Sequence, residues 1–150
     1  MSDIRKYVEL IESNERVDEA SKRKEALKSL NNYSYQIGLH ITKVWYLPNY
    51  DSYSHWLNEL VIFIDNATRK ARKVGIDEKT IFEELSSDIL SVQYRNKMIT
   101  TIHTEYEYIV IDLDDLYSLL YDTIKQISII IANGDRLEYN DIKDIIEENR

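Results

Sequence analysis

The amino-acid sequence predicts an all-α fold, a single antiparallel helical bundle of about five to six helices filling residues 1–150. Three observations carry this expectation. Glycine and proline are scarce, three and one in the whole chain, whereas all-β domains use both heavily in their turns. Apolar residues recur at spacings of three and four over long stretches, the period of an amphipathic helix. Hydrophobic residues make up 43% of the sequence, an ordinary globular content that supports one core and argues against disorder.

Taken in order, residues 3–14 read as a short helix with Ile4, Tyr7, Val8 and Ile11 on one face, interrupted at Asn14 to Arg16. A long second helix is expected from about Asp18 to Tyr46, along the apolar line Leu27, Leu30, Ile37, Ile41 and Val44. Leu47-Pro48-Asn49-Tyr50-Asp51 is the clearest break, because proline cannot continue the helical ladder and turn formers follow it. Ser54 is the expected cap of the next helix, whose inward residues are Trp56, Leu60, Phe63, Ile64, Ala67 and Ala71. Arg69, Lys70, Arg72 and Lys73, followed by Gly75, form the expected C-terminal signature: cations facing the last carbonyls, then a residue free to turn left-handed.

A further helix is expected from near Asp77, with Ile81, Phe82, Leu85 and Ile89 inward. From Met98 to Ala132 the spacing persists through Ile99, Ile102, Tyr106, Ile109, Leu113, Leu116, Leu120, Ile124, Ile127 and Ile131, which predicts helix. Thr101 to Val110 also carries a competing signal. Its dense, partly alternating Thr, Tyr, Ile and Val leave open a short β segment within 98–111. Asn133-Gly134 closes this element, and Asn140 is the expected cap of a last helix from Asp141 to Glu148.

Composition excludes several chemistries. With no cysteine there is no disulfide, no Cys-based zinc site and no thiol nucleophile, and a reducing compartment suits such a chain. Three glycines cannot make a phosphate-cradling loop, and no Gly-x-Ser-x-Gly elbow is present. The greasiest stretch, Ile127 to Ala132, is far shorter than a membrane span, and the first residues lack an apolar signal core. The expectation is a cytoplasmic protein with no membrane partner.

Three histidines are the natural place to seek an active site. His55-Trp-Leu-Asn-Glu59 and His103-Thr-Glu-Tyr-Glu107 would each share a helix face at i,i+4. His40, His55 and His103 therefore define an alternative reading as a helical-bundle enzyme or metal-binding protein. Against it, the Glu-x-x-His of di-iron bundles and the His-Glu-x-x-His of zinc proteases are both missing. The helical ribonucleases that place four to six residues between Arg and His are not matched either, since seven separate Arg95 from His103. No cofactor, metal or catalytic residue is expected.

Charge distribution points elsewhere. The net charge of −8 is confined to residues 101–150, which carry 4 basic and 12 acidic residues, while the first two thirds are close to balanced. In that acidic third Tyr106, Tyr108, Tyr117 and Tyr121 lie among Glu105, Glu107, Asp112, Asp114, Asp115 and Asp122. Tyrosine supplies rigid contact area with a hydrogen-bonding tip, and the carboxylates would engage Lys and Arg. These ten residues are the candidate partner-binding face. The expected partner is a basic protein, such as a toxin or nucleic-acid-binding effector, and the expected role is inhibition by an immunity protein, antitoxin or phage-encoded inhibitor. A core role for half the tyrosines, with acids that merely solubilise, is the competing explanation. An acidic surface repels phosphate backbones, so direct nucleic-acid binding is not expected. The run Arg69-Lys70-Ala71-Arg72-Lys73 is accounted for by the helix end it occupies.

One segment carries a family likeness. His40-x-x-Lys43-x-x-Tyr46-x-Pro48, then Ser52-x-Ser54-x-Trp56 and Leu60, preceded by Lys22-Arg23-Lys24-Glu25 to Leu30, resembles the central part of a bacterial helical family of unknown function, domain-of-unknown-function family twenty-nine. The likeness spans about residues 20–75, with one extra residue before Trp56, and is lost after Gly75. It implies a helical hairpin and no particular chemistry.

Overall fold

A computed structural model describes residues 2–149, with side chains described for 4–11 and 18–149. Among these residues there are six α-helices and no strand: α1 (Ser2–Tyr46), α2 (Tyr53–Val74), α3 (Glu78–Ser86), α4 (Val92–His103), α5 (Leu113–Asn133) and α6 (Tyr139–Glu148). None is long and apolar enough to cross a membrane.

The chain opens with one continuous 45-residue helix, not two. The break expected at Asn14 to Arg16 does not occur, because no glycine or proline stands there and Glu and Arg are good helix formers. Only the C-terminal half of α1 enters the bundle. Among the described residues Ala26 is the first buried one of α1, and Leu30, Ile37, Ile41 and Val44 follow on the predicted face. Gly38 lies on that face too. A Cβ there would come within 3.0 Å of Ile89 Cδ1 and 3.5 Å of Met98 Sδ, so the glycine lets the Ile89 turn and α4 approach the α1 backbone.

Leu47 is fully buried and the chain reverses over Pro48. The N–H of Tyr50 donates to Leu47 O (3.4 Å) and that of Tyr53 to Tyr50 O (3.0 Å). α2 then packs antiparallel to α1 with Trp56, Leu57, Leu60, Ile64, Ala67 and Ala71 inward. Its N-cap is Ser52, not Ser54, and neither hydroxyl caps the backbone; Ser54 Oγ faces the Tyr139 hydroxyl at 3.2 Å. Gly75 ends α2 at φ 64° and Gly134 ends α5 at φ 72°, the left-handed turn that costs glycine nothing.

α5 is the central strut, with Leu116, Leu120, Ile124, Ile127 and Ile131 buried against α3, α2, α1 and α4. α6 closes one side against α2 and α1. It starts earlier than expected, at Tyr139 after an extended Glu138. The Glu138 N–H donates to the Asp141 carboxylate at 2.9 Å, and Asn140 lies inside the helix. The buried hydroxyls of Thr42, Thr68 and Ser128 each donate to the carbonyl four residues back (2.7–2.8 Å). No buried side-chain polar atom is left unpaired among the described residues, as a stable core requires.

The largest departure lies in the stretch read as helix from Met98 to Ala132. It is split into α4 and α5 by the irregular segment 104–112. The alternative β segment within 98–111 is not formed either: 98–103 is helix and the rest is turn and irregular chain. Its alternation is nonetheless physical. Tyr106, Ile109 and Ile111 turn toward the core, while Glu105, Glu107, Tyr108 and Val110 face solvent.

Candidate functional site

Segment 104–112 is fastened at both ends. At its start, the Tyr106 N–H donates to Ile102 O (2.9 Å), and His103 Nε2 donates to Ile109 O (2.7 Å), folding the chain back on the end of α4. The His103–Glu107 pair expected from i,i+4 spacing does not form, because the helix ends at His103. At its finish, Asp112 caps α5, accepting from the N–H groups of Asp114 (2.9 Å) and Asp115 (3.0 Å). Below the segment, the Tyr106 ring meets Tyr50 edge-on at 4.7 Å and Trp56 at 6.2 Å.

What this scaffold presents is acidic and apolar at once. Tyr108 is 94% exposed and Val110 88%. Glu105, Glu107, Asp112, Asp114, Asp115 and Asp122 are exposed, and among the described residues none of them is in an ion pair. Their field is felt nearby. The Tyr46 phenol is held above the usual tyrosine range, first by burial and then by Asp115 and Asp112. Tyr106 is raised likewise, first by burial and then by Glu105 and Tyr50. Further along α5, Tyr117 is 41% exposed and stacks on Tyr121 (6.1 Å, 18°). Tyr121 is half-buried against Phe82 (5.2 Å), and the Arg95 guanidinium lies 5.2 Å from the Tyr117 ring centre.

Of the ten residues singled out from sequence, eight are exposed: Glu105, Glu107, Tyr108, Asp112, Asp114 and Asp115 on segment 104–112 and the first turn of α5, Tyr117 a turn further on, and Asp122 midway along α5. Tyr106 and Tyr121 are half-buried instead. Sequence reasoning missed Val110, whose signal was the alternation itself, and Tyr50, which is 43% exposed beside Tyr106. Far from this segment, Arg69, Lys70, Arg72 and Lys73 are exposed at the C-terminus of α2, and Lys22 and Lys28 of α1 share a cleft with Lys70 and Lys73. α2 spans roughly 33 Å at 1.5 Å per residue, which separates this basic cluster from segment 104–112.

The histidines do not converge on one centre, but two of them meet. Glu59 accepts from His55 Nε2 at 2.7 Å through one carboxylate oxygen and from His40 Nε2 at 2.5 Å through the other. His40 is buried, and its Nδ1 donates to Gln36 O at 2.7 Å. Both ring nitrogens of His40 are thus spent on acceptors, and no lone pair faces outward for a metal. Among the described residues no group of three or more His, Asp or Glu is arranged to hold a metal ion. Lys43 lies over the Trp56 ring at 5.6 Å.

The cluster ties α1 to α2, and its proton linkage has a definite sign. The hydrogen bond from His40, with help from the nearby positive charges, holds the Glu59 carboxyl below its usual range despite partial desolvation. A depressed folded pKa gives stability that is present above the unfolded value and is lost as pH falls through the folded one. Glu59→Gln is therefore expected to lower the melting temperature at neutral pH and to flatten the acid limb of the stability curve. Thermal melts of both proteins from pH 7 down to about 2.5, across the carboxylate range, check this. Parallel curves would mean that Glu59 contributes nothing through its charge.

The chain matches no protein-family model, no curated protein and no solved structure. What defines its class is the fold and the surface: a cysteine-free helical bundle with an acidic, tyrosine-bearing end.

Proposed function

We propose that this chain is a non-enzymatic binding protein that masks a basic surface of a protein partner, in the manner of an immunity protein, antitoxin or phage-encoded inhibitor. The observation that carries the reading is Tyr108 and Val110, almost wholly exposed on a segment pinned at both ends and ringed by unpaired carboxylates. A flexible loop would lose ordering entropy on binding; a pinned one has already lost it, which favours affinity. Aromatic and apolar tips supply desolvated contact area, and the acidic rim steers a cationic partner and fixes its orientation. A partner whose basic surface otherwise holds nucleic acid would be blocked by such a face, because both compete for the same cations.

The cytoplasm is the compartment that suits this reading, as a reducing environment suits a chain without cysteine. The likeness of residues 20–75 to family twenty-nine belongs to the same proposal. The antiparallel packing of α1 on α2 across Pro48 supports it.

The experiment is affinity capture from the native host with three baits: wild type, Tyr108→Ala, and Asp114→Lys/Asp115→Lys. A basic protein held by wild type and released by salt is expected. Charge reversal should weaken its binding by about tenfold, chiefly through the association rate, and Tyr108→Ala should act through dissociation. Affinity unchanged by both variants and indifferent to salt would remove this function from the acidic end.

A further inference from the structure

Every described side chain of α1 before Ala26, residues 4–11 and 18–25, is exposed. α2 reaches only to the level of Glu19 and Ala20, where Lys73 and Val74 line a cleft with them. Beyond that level α1 continues with five large apolar side chains in solvent: Ile4, Tyr7, Val8, Leu10 and Ile11, between 48% and 70% exposed. Ile4, Tyr7, Val8 and Ile11 stand at i, i+3, i+4 and i+7 and so form one stripe. A helical segment of this length, unsupported in water, is marginal on its own.

We propose that this stripe is a dimerisation surface, covered in antiparallel order by the same segment of a second copy. Three arguments select that occupant. The first is area. The four side chains of the stripe expose on the order of 450 Å² per copy, so a symmetric pair buries up to about 900 Å², the size of a weak, concentration-dependent interface. The second is self-complementarity. Reversal about the midpoint of Tyr7 and Val8 lays Ile4 over Ile11 and Tyr7 over Val8, so apolar meets apolar throughout, as a two-fold interface demands. The third is charge. Arg5, Lys6 and Glu9 are of both signs, so the segments do not repel. Antiparallel order sets the two net-acidic bundles at opposite ends of the pair, well beyond the roughly 10 Å over which salt leaves charges unscreened. The mixed signs also disfavour a membrane surface, which selects a polar face rich in Lys and Arg.

The test is sedimentation velocity of the full chain up to high micromolar concentration, alongside Ile4→Glu/Ile11→Glu. Wild type is expected to sediment as a dimer and the variant as a monomer with the same bundle melting temperature, its association weakened at least tenfold. Because the chain has no cysteine, Ile4→Cys and Ile11→Cys report the order of the helices. Mixed, they should cross-link to each other in preference to themselves. A wild type that stays monomeric overturns the proposal, as does a variant that still dimerises. Cross-linking of each variant only to itself overturns the antiparallel order. A monomeric wild type that binds phosphatidylcholine–phosphatidylglycerol vesicles through residues 4–11 assigns the stripe to a membrane instead. None of these outcomes bears on the acidic end.

Discussion

Trp56→Ala is expected to destabilise the protein by about 3–5 kcal/mol, the cost of deleting a large buried aromatic and leaving most of its cavity. Trp56 is 6% exposed. It sits in the first turns of α2, where the hairpin from α1 closes, with Lys43 over one face of its ring and Tyr106 edge-on. Removing it costs packing at the hairpin and also takes away the floor on which segment 104–112 rests. Thermal unfolding should show a fall of roughly 10 °C or more. Amide exchange should show lost protection at Tyr106 and Ile109, whose N–H groups hold the segment's turns. A melting temperature within a degree or two of wild type would mean that the indole is not a core element. Loss of stability without loosening of 104–112 would separate the hairpin from the candidate face.

How much of this could be read from the residues depends on whether the signal is local. α2 and α3 were legible because periodicity, terminal charges and Gly75 agree there. The inward residues predicted for them are the buried ones, with Phe63 and Phe82 half-buried. The length of α1 was not legible. Ile4, Tyr7, Val8 and Ile11 have a helical period but no bundle to face, and nothing local tells a free amphipathic turn from a packed one. The split at 104–112 was hidden because apolar residues there meet both a period near 3.6 and a period of two, and tertiary contacts through His103 and Tyr106 decided between them. His40 could have been joined to Glu59 by treating Pro48 as the hairpin turn, since the two lie at similar distances from it on opposite arms. That step needs the topology, which i,i+4 counting within one helix does not supply.

Arg95 is the other residue whose local signal was present and unused. It stands on the inward stripe of α4, one turn before Met98 and Ile102, where an apolar residue is the usual occupant. It is only 7% exposed. Its Nε donates to Leu90 O (3.2 Å) and its Nη1 to Leu113 O, bridging the turn after α3 to the first turn of α5, and its guanidinium rests on Tyr117. Among the described residues no carboxylate pairs with it. The cation is stabilised by two carbonyl dipoles and a ring face. Arg95→Ala is expected to cost about 3–4 kcal/mol, from two charge-assisted hydrogen bonds of roughly 1.5–3 kcal/mol each, less what water regains. Arg95→Lys should recover only part, because an ammonium cannot reach two divergent carbonyls as the planar fork does. Arg95→Leu restores volume but neither bond. If leucine proved as stable as arginine, the residue would be spacing the helices and not joining them. The position matters beyond stability, since Leu113 follows the Asp112 cap directly. Loss of Arg95 should release the start of α5, and with it the fixed placement of Asp112, Asp114 and Asp115. A double-mutant cycle of Arg95→Ala with Asp114→Lys/Asp115→Lys should therefore show coupling, because neighbours that share a field are not additive. Charge reversal should cost less in the Arg95→Ala background than in wild type, where it places new cations on the helix turn that Arg95 already bonds. Strict additivity of the two changes would show that the acids of this end owe nothing to Arg95.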